Sequence, residues 1–164
     1  MSTTIFLIVL NCALLLASPA PAQSAKDLVG SYTLMSAENV RPDGTKTPIF
    51  GGSPRGFLVL DGTGRYILAI TRGGIPKFAG NNRETGTIEE NRSVVQSTIA
   101  HFGRYTVDES AKGITFHIEN STFPNWEGTE QKRIFTLTGD ELRYTVPVTS
   151  TGAGSAELQW KRSK

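Results

Sequence analysis

The sequence predicts an all-β fold, an antiparallel sandwich or barrel that one short helix interrupts. The first observation is a series of short runs in which apolar and polar residues alternate, separated by turn residues. The second is Asp61-Gly62-Thr63-Gly64, a strong hairpin turn because glycine accepts positive φ angles without steric cost. The third is a single segment whose apolar residues repeat at helical spacing. Together they indicate one β domain with a helical insertion.

Eight of the alternating runs are long enough to be strands. The predicted strands cover residues 28–37, 56–60, 65–71, 103–108, 113–119, 132–138, 141–146 and 157–162. The predicted helix covers residues 87–101, about three turns, between the third and fourth strands. Thr87 and Glu90 form a capping box at its start, and Ile88, Val95 and Ile99 fall on one helical face.

Residues 1–22 have the layout of a secretory signal peptide. An uncharged apolar run extends from Ile5 to Ala17, although no Lys or Arg precedes it. Ala20-Pro21-Ala22 matches the A-x-A pattern, so we expect cleavage after Ala22 and a periplasmic or secreted protein. The apolar run is shorter than the ~20 residues of a spanning helix, which predicts no stable membrane insertion once the signal is removed. Residues 23–164 are then a single domain.

Composition narrows the function classes. Cys12 is the one cysteine and lies inside the predicted signal, so the exported domain has no disulfide. The net charge is +2 with both signs interleaved, which indicates neither a nucleic-acid groove nor a membrane-binding face. The two histidines, His101 at the predicted helix end and His117 on a strand, have no zinc-site spacing. No phosphate loop or dinucleotide motif is present, so no cofactor is expected, and oligomeric state is left open.

The order of the motifs resembles the bacterial lipocalin-like domain family. The motifs are residues 28–34 (LVGSYTL), the turn 61–66 (DGTGRY), the helix with Glu89-Glu90, residues 103–108 (GRYTVD), the run 117–133 containing FPNWEG, and Trp160-Lys161-Arg162. The resemblance implies an eight-stranded antiparallel up-and-down barrel around a pocket for one small, mostly apolar molecule. Tyr32 stands where lipocalins commonly have Trp, and we expect its ring to close the barrel floor against Arg162.

The strands 113–119 and 132–138 contain the candidate site. Alternation places His117 and Glu119 on one face of the first strand, and Arg133 shares a face of the second with the apolar Phe135 and Leu137. We predict that His117, Glu119 and Arg133 form a polar patch inside the barrel, with Arg133 bonded to Glu119 or close to His117. A slip of one residue would instead expose all three side chains and turn Phe116, Ile118 and Ile134 inward.

Three aromatic residues are further candidates for ligand contact. Trp126 lies in a loop where it would reach the barrel rim, and Tyr66 and Tyr144 alternate with apolar neighbours and could present hydroxyls to the pocket. Each also has a purely structural interpretation as a packed, strand-favoured aromatic.

Three function classes remain. The favoured one is an exported barrel that binds a small hydrophobic or amphipathic molecule. The second is a cofactor-free isomerase, cyclase or hydrolase in the same barrel, with His117 as acid/base and Arg133 holding a carboxylate or oxyanion. The third is a protein-interaction module with a filled barrel and an apolar rim around Phe123 and Trp126. A hollow interior would separate the first two classes from the third.

Overall fold

The computed structural model describes residues 24–152 and 154–164, so the predicted signal peptide lies outside the described residues. Within this part of the chain, nine strands and three short helices form one antiparallel sheet with its connections. The strands are β1 Gly30–Val40, β2 Lys46–Pro48, β3 Pro54–Leu60, β4 Arg65–Arg72, β5 Thr98–Asp108, β6 Gly113–Ser121, β7 Glu130–Thr138, β8 Glu141–Val146 and β9 Ser155–Arg162. The helices are α1 Ala25–Leu28, α2 Ile88–Ser97 and the 3₁₀ turn η1 Pro124–Trp126.

Pairing between the first and last strands closes the sheet into a barrel. Strand β1 pairs with β3 on one side and with β9 on the other, and the remaining neighbours follow chain order. The barrel therefore has eight strands, β1 and β3 to β9, while β2 is a three-residue strand beside the end of β1. The predicted barrel is confirmed, and α2 lies between its third and fourth strands as expected.

The predicted helix is right at its start and wrong at its end. Thr87 Oγ1 accepts from the Glu90 amide at 3.2 Å, and Glu90 accepts from the Thr87 amide at 2.8 Å, as a capping box requires. The helix ends at Ser97, and residues 98–101 instead open β5 and pair with β4. The ladder satisfies the backbone of these residues, and Ile99 alternates inward while the supposed helical face, Ile88 and Val95, is exposed.

One end of the barrel, here called the closed end, is sealed by α1 and the hairpin turns 61–64, 109–112 and 139–140. Leu28, Tyr32 and Trp160 are completely buried there. The guanidinium carbon of Arg162 lies 4.8 Å from the Tyr32 ring centroid, and the two residues are directly opposed across β1 and β9. Arg162 also donates to the carbonyl oxygens of Asp27 and Val29, each at 2.5 Å. The expected contact between Tyr32 and Arg162 is confirmed.

The opposite end, here called the open end, carries the longer connections, including α2, η1 and the loops before β3 and β9. These connections leave the interior of the barrel accessible from that side, as the pocket described below shows. In residues 24–152 and 154–164, no helix is long and apolar enough to cross a membrane.

Candidate functional site: a pocket at the open end

Strand β6 turns its apolar residues inward, against the expectation for His117 and Glu119. Ile114, Phe116 and Ile118 are at most 2% exposed. His117 and Glu119 lie on the outer surface, with side chains 35% and 42% exposed. The predicted orientation of these two residues is therefore wrong. Burying three large apolar side chains is more favourable than burying a histidine and a carboxylate, and strand alternation allows only one of the two sets inside.

Strand β7 has the predicted orientation. Arg133 is 5% exposed and Phe135 is 1% exposed, while Ile134 is 62% exposed on the outside. Ile114 and Arg133 are directly opposed across β6 and β7, so both point inward. Neither of the two alternatives from the sequence holds as a whole, because each strand follows its own apolar pattern. Phe116 and Ile118 turn inward, but Ile134 does not.

A bulge interrupts β6 at Glu119, whose outward direction already follows from strand alternation. The register between β5 and β6 shifts between Phe102 and Gly103, so that Glu119 is an extra residue on β6. A Cβ atom at position 103 would lie 2.1 Å from the carbonyl oxygen of His117, which only a glycine avoids. Gly103 thus permits the close approach of the two strands at the bulge.

A pocket opens into the barrel from the open end. It encloses about 550 Å³ of atom-free space, a figure that includes solvent at the mouth. Its walls are mainly aliphatic and aromatic. The barrel contributes Leu68, Ile70, Ile99, His101, Phe116, Arg133, Tyr144, Val146, Ala156 and Leu158, and the loops contribute Ile49, Phe50, Trp126 and Thr149 to Thr151.

Arg133 is the charged group of this pocket. Its guanidinium donates to the side-chain amide oxygen of Gln131 and, at 3.1 Å, to the carbonyl oxygen of Lys132. It lies 6.0 Å from the Phe116 ring centroid. Within the described part of the chain, no carboxylate forms an ion pair with Arg133. Burial lowers the pKa of Arg133, yet an arginine stays protonated in proteins, so the pocket holds a positive charge without an anionic partner.

His101, which the sequence placed at a helix end, is the pocket histidine. It is 5% exposed, and its Nδ1 lies 2.9 Å from the Tyr66 hydroxyl. Burial, with a smaller contribution from the charge of Arg133, lowers the pKa of His101 to about 3. Burial also raises the pKa of Tyr66, so both groups are neutral at pH 7. Tyr66 itself does not line the pocket, and its hydroxyl contacts the His101 imidazole.

Trp126 and Tyr144 line the pocket as the sequence suggested. The Trp126 ring lies edge to face against His101 with centroids 5.7 Å apart, and against Phe123 at 5.6 Å. Tyr144 is 4% exposed, and burial raises the pKa of its hydroxyl while Arg133 opposes that shift. The pocket therefore combines aromatic contact surfaces with neutral hydrogen-bonding groups and the charged Arg133.

His117 and Glu119 instead take part in polar contacts on the outer surface. The two ring nitrogens of His117 lie 2.9 Å from Glu130 Oε1 and 3.1 Å from Thr106 Oγ1. Glu119 forms an ion pair with Arg65 at 2.6 Å and lies 4.0 Å from Arg104. The expected bond between Arg133 and Glu119 is wrong, because the barrel wall separates them. Of the predicted polar trio, the structure brings only Arg133 to the pocket.

The residues that sequence reasoning missed are His101 and the loop residues at the rim. His101 continues the inward alternation of Ile99, Gly103 and Tyr105. This signal was missed because residues 87–101 were interpreted as a helix. Phe50 and Thr149 lie in irregular loops, whose conformation has no comparable periodic signal. Among residues 24–152 and 154–164, no group of three or more His, Cys, Asp or Glu side chains could hold a metal ion.

Comparison with known proteins identifies the fold family. A protein of Aspergillus oryzae named 4'-hydroxy-3'-methoxypropiophenone carrier protein ppsC is 30% identical over 102 residues, which cover 57% of this chain and 92% of that relative. The family model described as a lipocalin-like domain matches residues 29–163, from the start of β1 to the end of β9. On this match and the closed antiparallel barrel, the chain belongs to the lipocalin-like domain family.

Proposed function

We propose that this protein binds and carries one small, mostly apolar aromatic molecule in the open-end pocket. The observation that carries the proposal is the pocket itself, in which apolar and aromatic walls surround a few polar groups. This composition is the usual one for small-molecule sites, where apolar area contributes affinity and a few polar groups set orientation. Phe116, Trp126 and Tyr144 offer ring surfaces to an aromatic ligand.

The named ligand of the Aspergillus relative suggests a chemical class. By its name, that molecule has one aromatic ring with a phenolic hydroxyl, a methoxy group and a short ketone chain. Such a molecule is apolar over most of its surface and polar at two places. The pocket of this chain is likewise mostly apolar, and its polar groups include Arg133, His101 and Tyr144. We therefore propose phenolic aryl ketones, or similar single-ring compounds, as the ligand class.

The other two function classes have weaker support. In the enzymatic hypothesis, His117 acts as acid/base on a molecule inside the barrel, but His117 lies on the outer surface and contacts Glu130 and Thr106. In the interaction-module hypothesis, the rim around Phe123 and Trp126 is free for a partner. These two side chains are instead half-buried and packed against each other at one edge of the pocket.

Titration with 4'-hydroxy-3'-methoxypropiophenone, followed by isothermal titration calorimetry, tests the proposal. We expect one binding site per chain. Ala156→Phe would place a ring inside the pocket, since Ala156 lines it and is 1% exposed, and should lower the affinity at least tenfold. Ala100→Phe places the same ring on the half-exposed outer side of β5 and should leave the affinity within about twofold. Equal binding by both variants would overturn the pocket assignment, provided that both unfold cooperatively on heating.

Export through removal of residues 1–22 is a separate proposal. The apolar run and the A-x-A pattern support it. Cleavage after Ala22 would also preserve the N-cap of α1, where the Ser24 amide donates to Asp27 at 2.8 Å, whereas cleavage after Ala25 would remove it. N-terminal sequencing of the exported protein should begin at Gln23. A cell-retained protein that still carries Met1 would contradict the proposal.

A further inference from the structure

Arg133 is a buried cation whose surroundings are incomplete without a negative charge. Its two hydrogen-bond acceptors, the Gln131 amide oxygen and the Lys132 carbonyl oxygen, are both neutral. A buried charge that lacks a counter-charge destabilises a protein, so such groups are normally paired or bind a ligand. Arg133 is 5% exposed and lines the pocket, so its charge lies beside any molecule bound there.

His101 supplies a second donor beside it. The Tyr66 hydroxyl has His101 Nδ1 as its one hydrogen-bond partner within the described residues, so its proton is best placed on that nitrogen. A neutral imidazole that accepts at Nδ1 carries its own proton on Nε2. This Nε2–H group has no partner among the described residues. Because the His101 side chain lines the pocket, the group is a candidate donor to a bound molecule.

The titratable groups that interact electrostatically with Arg133 are Tyr66 on β4, His101 on β5 and Tyr144 on the adjacent β8. Burial keeps the two phenols protonated, and His101 is neutral above about pH 4. β6 contributes the uncharged Phe116. At neutral pH the pocket therefore presents one positive charge, and none of these side chains offsets it.

We propose that the pocket binds its aromatic ligand as an anion, with the negative oxygen on the Arg133 guanidinium and a second hydrogen bond from His101 Nε2–H. This inference rests on the proposed carrier function and specifies the ionisation state of the ligand. Two kinds of single-ring molecule present such an oxygen. A phenol with a ketone in the para position ionises readily because its charge is delocalised onto the ketone, and an aromatic acid is ionised throughout the neutral range. An arginine binds either oxygen through charge-assisted hydrogen bonds.

Three probe ligands distinguish the contribution of a negative charge to binding from that of the aromatic ring. 4'-Hydroxy-3'-methoxypropiophenone can ionise, its methyl ether 3',4'-dimethoxypropiophenone cannot, and 4-hydroxy-3-methoxybenzoate is a permanent anion at pH 7. The phenolate of the first probe absorbs at longer wavelength than the phenol, so its absorption spectrum reports the bound species directly. We expect the bound spectrum to be that of the phenolate, and the pKa of the ligand to fall by at least one unit on binding. At a pH above the pKa of the free ligand, the methyl ether should then bind at least tenfold more weakly.

The dependence of ligand affinity on pH shows which ionisation state the site favours. A site that favours the anion lowers the pKa of the bound ligand below that of the free ligand. Affinity should therefore rise with pH between these two pKa values and become constant above the higher one. His101 titrates near pH 3 and does not contribute to this window.

Arg133→Met removes the charge and keeps an unbranched apolar side chain in its place. In this variant the bound probe should show the neutral phenol spectrum, and the ketone and its methyl ether should bind within about twofold of each other. Arg143→Met is the matched control, because Arg143 is exposed on the outer side of β8 beside Glu141. It should retain the phenolate spectrum.

The outcomes distinguish this inference from the proposed function. Equal binding of the ketone and its ether to the native protein, both neutral, would overturn the anion inference and leave the carrier function intact. Binding of the benzoate alone, lost in Arg133→Met, would support the anion and overturn the ketone ligand class. No binding of any of the three probes would overturn both proposals.

Discussion

Two arginines lie beside aromatic rings at opposite ends of the barrel, and their partners differ. At the closed end, Arg162 stacks 4.8 Å from Tyr32, donates to two carbonyl oxygens at 2.5 Å and lies 4.0 Å from Asp140. At the open end, Arg133 is 6.0 Å from Phe116 and has only neutral acceptors. The arginine of the closed end thus has a carboxylate nearby. The open end has a charge that the fold itself does not neutralise.

This difference indicates a division of roles along the barrel axis. Leu28, Tyr32 and Trp160 fill the closed end without remaining exposure, as a stable core requires. The open end has an apolar pocket around Arg133 and His101, an arrangement that a ligand would complete. Substitutions at the closed end should therefore affect mainly the free energy of unfolding, and substitutions at the open end mainly the affinity for a ligand. Four predictions test this division, in order of decreasing effect.

The largest effect is expected from Trp160→Ala. Trp160 is completely buried, and its truncation should lower the free energy of unfolding by about 3–5 kcal/mol through lost burial and the resulting cavity. Trp126→Ala removes an indole at the half-buried rim and should cost clearly less stability but weaken ligand binding. Urea denaturation and calorimetric titration of both variants measure the two effects. A larger loss of stability in Trp126→Ala would contradict the division of roles.

The second effect is a loss of stability at acidic pH, which depends on His101. The pKa of His101 is about 3 in the folded protein and about 6.5 in the unfolded chain, so below pH 6.5 the unfolded state takes up a proton that the folded state does not. The stability associated with the neutral imidazole is present above pH 6.5 and is lost progressively as pH falls toward 3. Between pH 7 and 5 this loss is roughly 2 kcal/mol. The difference in free energy of unfolding between the native protein and His101→Phe should therefore shrink by about this amount from pH 7 to pH 5. Urea denaturation at the two pH values measures this difference, and an unchanged value would refute the prediction.

The third prediction sets the two arginines against each other in the protein without ligand. Arg162→Met removes hydrogen bonds from a charged group to two carbonyls and should lower the free energy of unfolding by about 1–3 kcal/mol. Arg133→Met removes a buried charge without a counter-charge and should be neutral or stabilising. Thermal denaturation of the two variants should give shifts of opposite sign, or no shift for Arg133→Met. Equal destabilisation would mean that Arg133 has a structural partner after all.

The smallest effects belong to the outer surface. His117→Ala and Glu119→Gln alter side chains that are separated from the pocket by the barrel wall, in exposed polar contacts that contribute less than about 1 kcal/mol. Both variants should bind the propiophenone ligand within about twofold of the native protein. A tenfold loss in calorimetric titration would return these residues to the site that the sequence suggested for them.

The parts of the fold and of the candidate site that could be predicted from the sequence are those with a consistent local pattern. The alternation and glycine turns predicted eight strands, and the apolar neighbours of Arg133 on its own face predicted that this arginine points inward. Each of these rests on residues close together in the chain. The helical signal at residues 87–101 was local too, but Ile99 and His101 fit strand spacing as well, and pairing with β4 decided in favour of the strand.

The sequence by itself determined the strand pattern, the turns and the resemblance to lipocalin-like domains, because side-chain alternation and glycine geometry depend on local backbone sterics. Alternation on β6 also distinguishes the apolar Ile114, Phe116 and Ile118, which are buried, from His117 and Glu119, which are not. Only the tertiary structure decided which inward residue lies opposite Arg133, because β6 and β7 meet in the register that pairs it with Ile114. It also decided the partner of Tyr66, the bulge at Glu119 and the absence of a carboxylate beside Arg133 among the described residues. These features depend on which strands become neighbours when the barrel closes, and pairing between β1 and β9 at opposite ends of the chain brings that about.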